Sequence, residues 1–432
     1  MVFRPGRVIM VAALCAIAAG CGGSHSSSPS LTPAGGTRQP QLNGGAGVVE
    51  VSTLYVSGQG AVYAYGLAAS GNAAPISKTT GYYYQAGGPG GVTASIAGIA
   101  TNSNGDLVVV QNFANVQGNG NSCQLVYIPQ RSSENAVNAS TGTCANGTGG
   151  NTTGTAVGVT FTGASPNATF PPLPTPSPGP TGSPVQLAIV REPMAHTPVA
   201  NIQVSPTPAP AGGFTDEIDV LMHYQSNGNP AVTGCDGSTS TQYEVDRYRA
   251  NSGDQSISTL SCNRLQQGLT AQYRAIGGST NGAYFVDLDP PSASGMVERY
   301  DINGLLTNSG SFPGTAGPMA VAAANGIGYR VLASTAAGVT TIYKFKPAGG
   351  ASMTFVSALG TFTNPVGAVA VDNSGTVYVG VNQPNGVTKI KVYGPTKTQA
   401  TDPDYILNNP VRRPNPAASP TARITGIAIA QP

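Results

Sequence analysis

Beyond about residue 50 the chain alternates short apolar runs with clusters of Gly, Asn, Asp and Pro. The runs follow a period of two and are too short for helices, so they predict β-strands joined by tight turns. Val366–Tyr393 is the clearest copy: VGAVAV, the turn Asp372-Asn373-Ser374-Gly375, TVYVGV, a Pro/Asn/Gly loop, then VTKIKVY. Ile96–Tyr127 repeats it with IAGIA, a turn over Asn102–Gly105, DLVVVQ, a long loop and CQLVYI. Met319–Phe345 repeats it again with MAVAAA, IGYRVLA and VTTIYKF. Looser copies are Tyr273–Tyr300 (AYFVDL, MVERY) and Val185–Tyr248 (VQLAIV, EIDVLM, YEVDRY). No stretch after residue 47 carries a long helical period.

The ends of the pattern predict a closed ring. The first unit has only later strands, LYVSG and AVYAYG. The C-terminus supplies ITGIAIA (424–430), which looks like the first strands IAGIA and VGAVAV. A blade completed by both termini closes a β-propeller and removes its free edges. A tyrosine ends the third strand of each unit: Tyr65, Tyr127, Tyr248, Tyr300, Tyr343 and Tyr393. Six tyrosines predict six blades, with seven as the alternative. The last three spacings, 52, 43 and 50 residues, fit one blade each. The 121 residues from Tyr127 to Tyr248 do not. We place the excess in 133–183 and 204–214, Asn/Thr/Gly-rich stretches with the run PPLPTPSPGP (171–180), read as an extended insertion.

GAVAVDNSGTVYVG (367–380) and KVYGP (391–395) resemble the repeat of NHL-type six-bladed propellers. GLAASGNAAPI (66–76) resembles the linker between blades in many such bacterial proteins. The resemblance implies a fold and no particular chemistry, since its members include binding platforms, lyases and lactonase relatives.

The first 47 residues differ from the rest. Arg4 and Arg7 precede an uncharged run, Val8–Gly20, too short to span a bilayer. A basic start, a short apolar run and small residues before Cys21 predict an export signal over residues 1–20. Ala18-Ala19-Gly20-Cys21 resembles the lipobox of bacterial lipoproteins, with Ala18 where that family prefers Leu. The resemblance implies lipidation of Cys21. Gly22, rather than Asp, implies the outer membrane. Residues 21–47 form a Gly/Ser/Pro-rich tether, and 48–432 the propeller domain.

Composition narrows the functional classes. Charged residues are 9% of the chain, against ~25% in ordinary globular domains. Removing the leader leaves 18 basic and 18 acidic residues. With no basic block, a nucleic-acid partner is not expected. Gly (58) and Pro (35) make 93 of 432 residues, yet the 40% apolar share still supports a core.

After export and lipidation four cysteines remain: Cys123, Cys144, Cys235 and Cys262. An even count outside the cytoplasm predicts disulfides. Three connectivities are open. Cys123–Cys144 and Cys235–Cys262 are favoured because each pair falls within one structural unit. Without CxxC spacing, a metal site made of the four cysteines is not expected.

Catalytic motifs are scarce. There is no G-x-S-x-G, HxH or HExxH. His25 lies in the tether; His196 and His223 read as packed or solvated. Glu192 follows the expected inner strand of the third blade and precedes Pro193, faintly like the Glu-Gly-Pro of lactonase propellers. Asp287 and Asp289 read as a solvated turn before Pro290-Pro291. Asn102–Asp106 and Asp372–Gly375 lack the full calcium-loop series and read as hairpin turns. Tyr82-Tyr83-Tyr84 offers a stacking surface for a sugar. The expectation is a lipid-anchored binding or scaffold module. No catalytic residues, metal or cofactor are expected. The membrane is engaged through lipid, and the partner is a protein or glycan. A lactonase-like hydrolase or lyase and a structural envelope protein are the alternatives.

Overall fold

The computed structural model describes residues 52–58, 61–80, 93–101, 107–114, 122–128, 150–155, 160–162, 186–191, 196–208, 214–224, 234–250, 257–266, 271–278, 282–291, 294–322, 329–411 and 422–430. These fall in one compact unit, Glu50–Pro432, built from six antiparallel sheets arranged as a β-propeller.

Named in hydrogen-bonding order, blade I consists of Gly426–Ala430, Thr53–Ser57, Ala61–Gly66, Ser77–Thr80 and Thr160–Thr162. Blade II consists of Thr93–Thr101, Leu107–Ala114, Ser122–Ile128, Gln186–Arg191 and Gly150–Thr155. Blade III is His196–Pro208, Phe214–Tyr224, Gln242–Ala250 and Ile257–Arg264. Blade IV is Gln272–Gly278, Tyr284–Asp289, Ser294–Tyr300 and Leu306–Pro313. Blade V is Met319–Val321, Arg330–Ala336, Val339–Pro347 and Met353–Phe362. Blade VI is Val366–Val371, Val377–Asn382, Thr388–Tyr393 and Tyr405–Asn408.

The ring closes as the termini predict. Gly426–Ala430 pairs with Thr53–Ser57 from Ser57↔Gly426 to Thr53↔Ala430. Asn382 clamps the approach to that strand: its Nδ2 donates to the Ile424 carbonyl (3.1 Å), and its Oδ1 accepts from the Ile424 amide (2.8 Å). Gly367 is needed here, because a Cβ would lie 2.3 Å from the Ile424 carbonyl oxygen.

The middle strands are apolar on both faces because a neighbouring blade covers each face. Val377–Val381 is buried throughout, Gly380 included. Sandwiched sheets therefore read as runs rather than strict alternation. The Asp372 turn is a hairpin, as predicted: Asp372 Oδ1 accepts from the amides of Ser374 and Thr376, both at 2.9 Å. Gly375 takes the left-handed backbone the turn requires, with φ +87°.

All six marker tyrosines fall on third strands. Tyr65, Tyr248, Tyr300 and Tyr393 are fully buried. Their hydroxyls need partners inside the protein. Tyr65 donates to the Pro410 carbonyl and Tyr393 to the Ala400 carbonyl, each at 2.7 Å.

Three expectations are corrected. VQLAIV does not open blade III: Gln186–Arg191 pairs with Ser122–Ile128 and belongs to the outer part of blade II. The inner strand of blade III is His196–Pro208, which overlaps the stretch assigned to excess loop. An apolar run of this length suits any buried strand position, so its radial place was not legible. Two short segments within the insertion around 133–183 are strands. Gly150–Thr155 pairs with Gln186–Arg191, and Thr160–Thr162 extends blade I. Finally, residues 67–76 do not link blades. They join the third and fourth strands of blade I and dock on blade VI, where Gly71 donates to the Ile406 carbonyl (2.7 Å).

Candidate functional site

Among the described residues, two places could hold chemistry: the central channel and the acid-rich sector of blades III and IV. The channel cavity holds about 140 Å³. Its described wall is residues 99–101, 276–278, 319–321, 369–371 and 427–429, from the innermost strands of five blades. None of these residues ionises, and Thr101 is the one with a hydroxyl, which donates to the Ile429 carbonyl (2.8 Å). Small and β-branched side chains suit a crowded inner radius.

Eleven of the chain's 18 acidic residues lie between Asp216 and Asp301. Along Gln242–Ala250 successive side chains take opposite faces of the blade III sheet. Val245 and Arg247 turn towards blade IV, and Glu244 and Asp246 take the other face.

On the blade IV side, Arg247 is buried opposite Asp219 in the ladder. Its Nε lies 2.8 Å from Asp219 Oδ1 and its Nη2 3.1 Å from Glu217 Oε2. It also donates to the Gly282 and Ile302 carbonyls, both at 2.6 Å. Its guanidinium stands 5.6 Å from the Tyr284 ring centre. Burial disfavours the charge, but Asp219 and Glu217 more than offset this and hold its pKa above the ordinary value. One cation thus joins two blades through carboxylates and carbonyls.

Further out, Glu298 is fully buried and accepts from the hydroxyls of Tyr300 (2.7 Å) and Tyr273 (3.1 Å). Burial, then the neighbouring Tyr273 and Glu298, push the Tyr300 hydroxyl pKa strongly up. Tyr300 stays a neutral donor.

Asp287 and Asp289 do not form the solvated turn expected of them. Asp287 is completely buried, and Asp289 accepts from the Ala316 amide (2.6 Å). Desolvation raises the Asp287 pKa well above its ordinary value. The following Pro-Pro pair suggested exposure, but Asp289 holds the segment that leads into blade V.

On the opposite face, Cys235 and Cys262 form a disulfide with a Cα–Cα distance of 5.4 Å, within the usual range. Cys262 stands directly opposite Asp246 in the ladder. Glu244 and Asp246 are buried beside it. Glu244 Oε2 accepts from the Cys235 amide (2.8 Å) and from Gln242 Nε2 (2.9 Å). One sulfur from each cysteine and one oxygen from each carboxylate all lie within 4.8 Å of one another. The cysteines were expected from the sequence, whereas Glu244 and Asp246 were not. The signal was available as Glu-x-Asp alternation on the strand beside Cys262.

His223 stacks on Tyr243 at 4.5 Å between ring centres. Burial lowers its pKa, and Glu244 acts against that. His196 begins the inner strand of blade III, but its side chain lies outside the described residues. So do Cys21, His25, Tyr82–Tyr84, Asn102–Asp106, Cys144, Glu192 and the side chain of Cys123. Since Gln186–Arg191 belongs to blade II, Glu192 does not follow an inner strand.

No protein-family model matches the chain, and no curated protein matches it in sequence. Among solved structures it is similar to a protein of unknown function from Bacteroides caccae, with 12% identity over 89% of this chain and 100% of that one, TM-score 0.46. It is also similar to a fucose-specific lectin from Aleuria aurantia, with 10% identity over 78% of this chain and 88% of that one, TM-score 0.35. At these scores the likenesses carry nothing about activity, and the fold rests on the strand pairing.

Proposed function

We propose that this protein is a lipid-anchored cell-envelope propeller that works as a binding or scaffold module. On this reading residues 1–20 direct export, and Cys21 carries lipid in the outer membrane. Residues 22–47 let the ring stand off the surface by about 25–30 Å as flexible coil. The partner is a protein or a glycan held by loops on one face of the ring. Kinship with NHL-type propellers rests on residues 367–380 and 391–395.

One observation carries the reading. The described channel wall has no ionisable side chain, and the buried ionic groups of blades III and IV contact neighbouring elements of the ring. Recognition is then left to the loops, which a rigid ring holds in place.

The test is mass spectrometry of the mature N-terminus, combined with crosslinking in the native host. A diacylglyceryl Cys21 that is lost in Cys21→Ser, with release of the protein from membranes, supports the anchor. An unmodified or uncleaved N-terminus overturns it. Metal-dependent hydrolysis of lactones or esters by the purified protein would overturn the binding role in favour of an enzyme.

A further inference from the structure

We propose that Cys235, Cys262, Glu244 and Asp246 form a redox-gated site for a thiophilic divalent cation. The disulfide is the closed state and the dithiol the open one. Three observations meet here. The four side chains offer two sulfurs and two carboxylate oxygens within 4.8 Å of one another. The carboxylates are buried, Glu244 completely and Asp246 to 4% exposure, in a chain with only 9% charged residues. Their positions are fixed by secondary structure: Glu244 and Asp246 alternate on one strand, and Asp246 faces Cys262 across the ladder.

Glu244 accepts from the Cys235 amide (2.8 Å), so the same turn holds a sulfur and a carboxylate together. Two sulfurs with two oxygens suit Zn²⁺ or its thiophilic analogue Cd²⁺.

The sulfurs explain the gating. In the disulfide they are bonded to each other, whereas a thiolate is the form that ligates a metal. A thiol reductant, RSH, converts the disulfide to two thiols: two RSH are oxidised to RSSR, and the two electrons and two protons pass to the cysteine sulfurs. A divalent cation then displaces one proton from each sulfur as two metal–sulfur bonds form. Cys235 lies in the turn before the strand and Cys262 on the outer strand, both half-buried. A small reductant and an ion can therefore reach them from outside the ring.

The experiment uses the full chain, detergent-solubilised, with Cys123→Ser and Cys144→Ser so that no other propeller cysteine responds. Cd²⁺ alone is titrated into the oxidised protein, and into protein reduced with a dithiol that is then removed anaerobically. The readouts are thiolate-to-metal charge-transfer absorption, proton release and circular dichroism. The expected result is no band when oxidised. When reduced, a band saturates at one ion per chain with two protons released. Glu244→Gln and Asp246→Asn, with both thiols intact, should each weaken binding by at least about tenfold, since losing even an outer-shell partner costs that much. Equal uptake by the oxidised protein overturns the gating. Unchanged affinity in both carboxylate variants, or no uptake by reduced protein of native dichroism, overturns the site and leaves a structural staple. Should a carboxylate variant fail to fold, proton release and stoichiometry in the parent chain still decide the matter.

Discussion

Between blades V and VI, Val331, Ala333, Ile342 and Leu359 meet Val369, Val377 and Val379 in an apolar seam. Between blades III and IV, Leu221 and Val245 meet Tyr273, Tyr284 and Tyr300, but Arg247, Glu217, Asp219 and Glu298 are buried among them. Both seams join four-stranded blades. The first relies on area removed from water, and misplacement of one side chain costs a few methylenes. The second relies on charge pairing, where removing one partner strands another. Blade VI, whose repeat is cleanest, meets blade V mainly through apolar side chains. Blade III, whose repeat is loosest, carries both the Arg247 cluster and the Cys235–Cys262 cluster. Departures from the repeat mark where other physics has taken over.

The contrast can be broken by mutation. Arg247→Met should cost the most, about 3–5 kcal/mol, because it leaves two buried carboxylates facing an apolar side chain. Urea denaturation measures this. A loss below about 1 kcal/mol would mean that the triad contributes no more than a surface pair. Next comes the Cys235→Ser/Cys262→Ser double variant, expected to lose about 3 kcal/mol by loop entropy in the same assay. An unchanged denaturation midpoint would show that the bridge does not constrain the unfolded chain.

Asp287 sharpens the comparison through pH. A buried acid with a raised pKa keeps its proton in the fold after the unfolded chain has lost it. Its contribution is complete below the ordinary carboxylate value and falls as pH rises towards the folded value. Asp287→Asn keeps the shape of the neutral form. It should flatten that fall and raise stability at neutral pH relative to the parent. Denaturation from pH 3 upward tests it, and parallel curves would sink it. The smallest effect belongs to the apolar seam: Ile342→Val should cost only about 0.5–1.5 kcal/mol and show no pH dependence. A larger loss would mean that the seam is packed more stringently than its composition implies.

The Arg247 cluster was hidden from the sequence for a definite reason. Arg247 meets Asp219 through strand pairing 28 residues apart, and Gly282 and Ile302 only through blade stacking. Asp287 misled because a carboxylate before prolines reads as a turn, whereas the adjoining blade covers it. Glu244 and Asp246 were legible as an alternating pair, but their approach to both cysteines depends on how the 234–240 turn folds back.

What the sequence determined alone was local and periodic. Alternating runs set the strands, Asn/Asp/Gly clusters set the turns, and the strand missing at one end but present at the other set the closure. These follow from backbone geometry and from the need to bury apolar side chains, which neighbours along the chain already encode. The tertiary structure alone decided the radial place of Gln186–Arg191, the extra edge strands from residues 150–162 and the partners of every buried charge. Those outcomes depend on which faces come together, and a period of two says that a face is buried without saying against what.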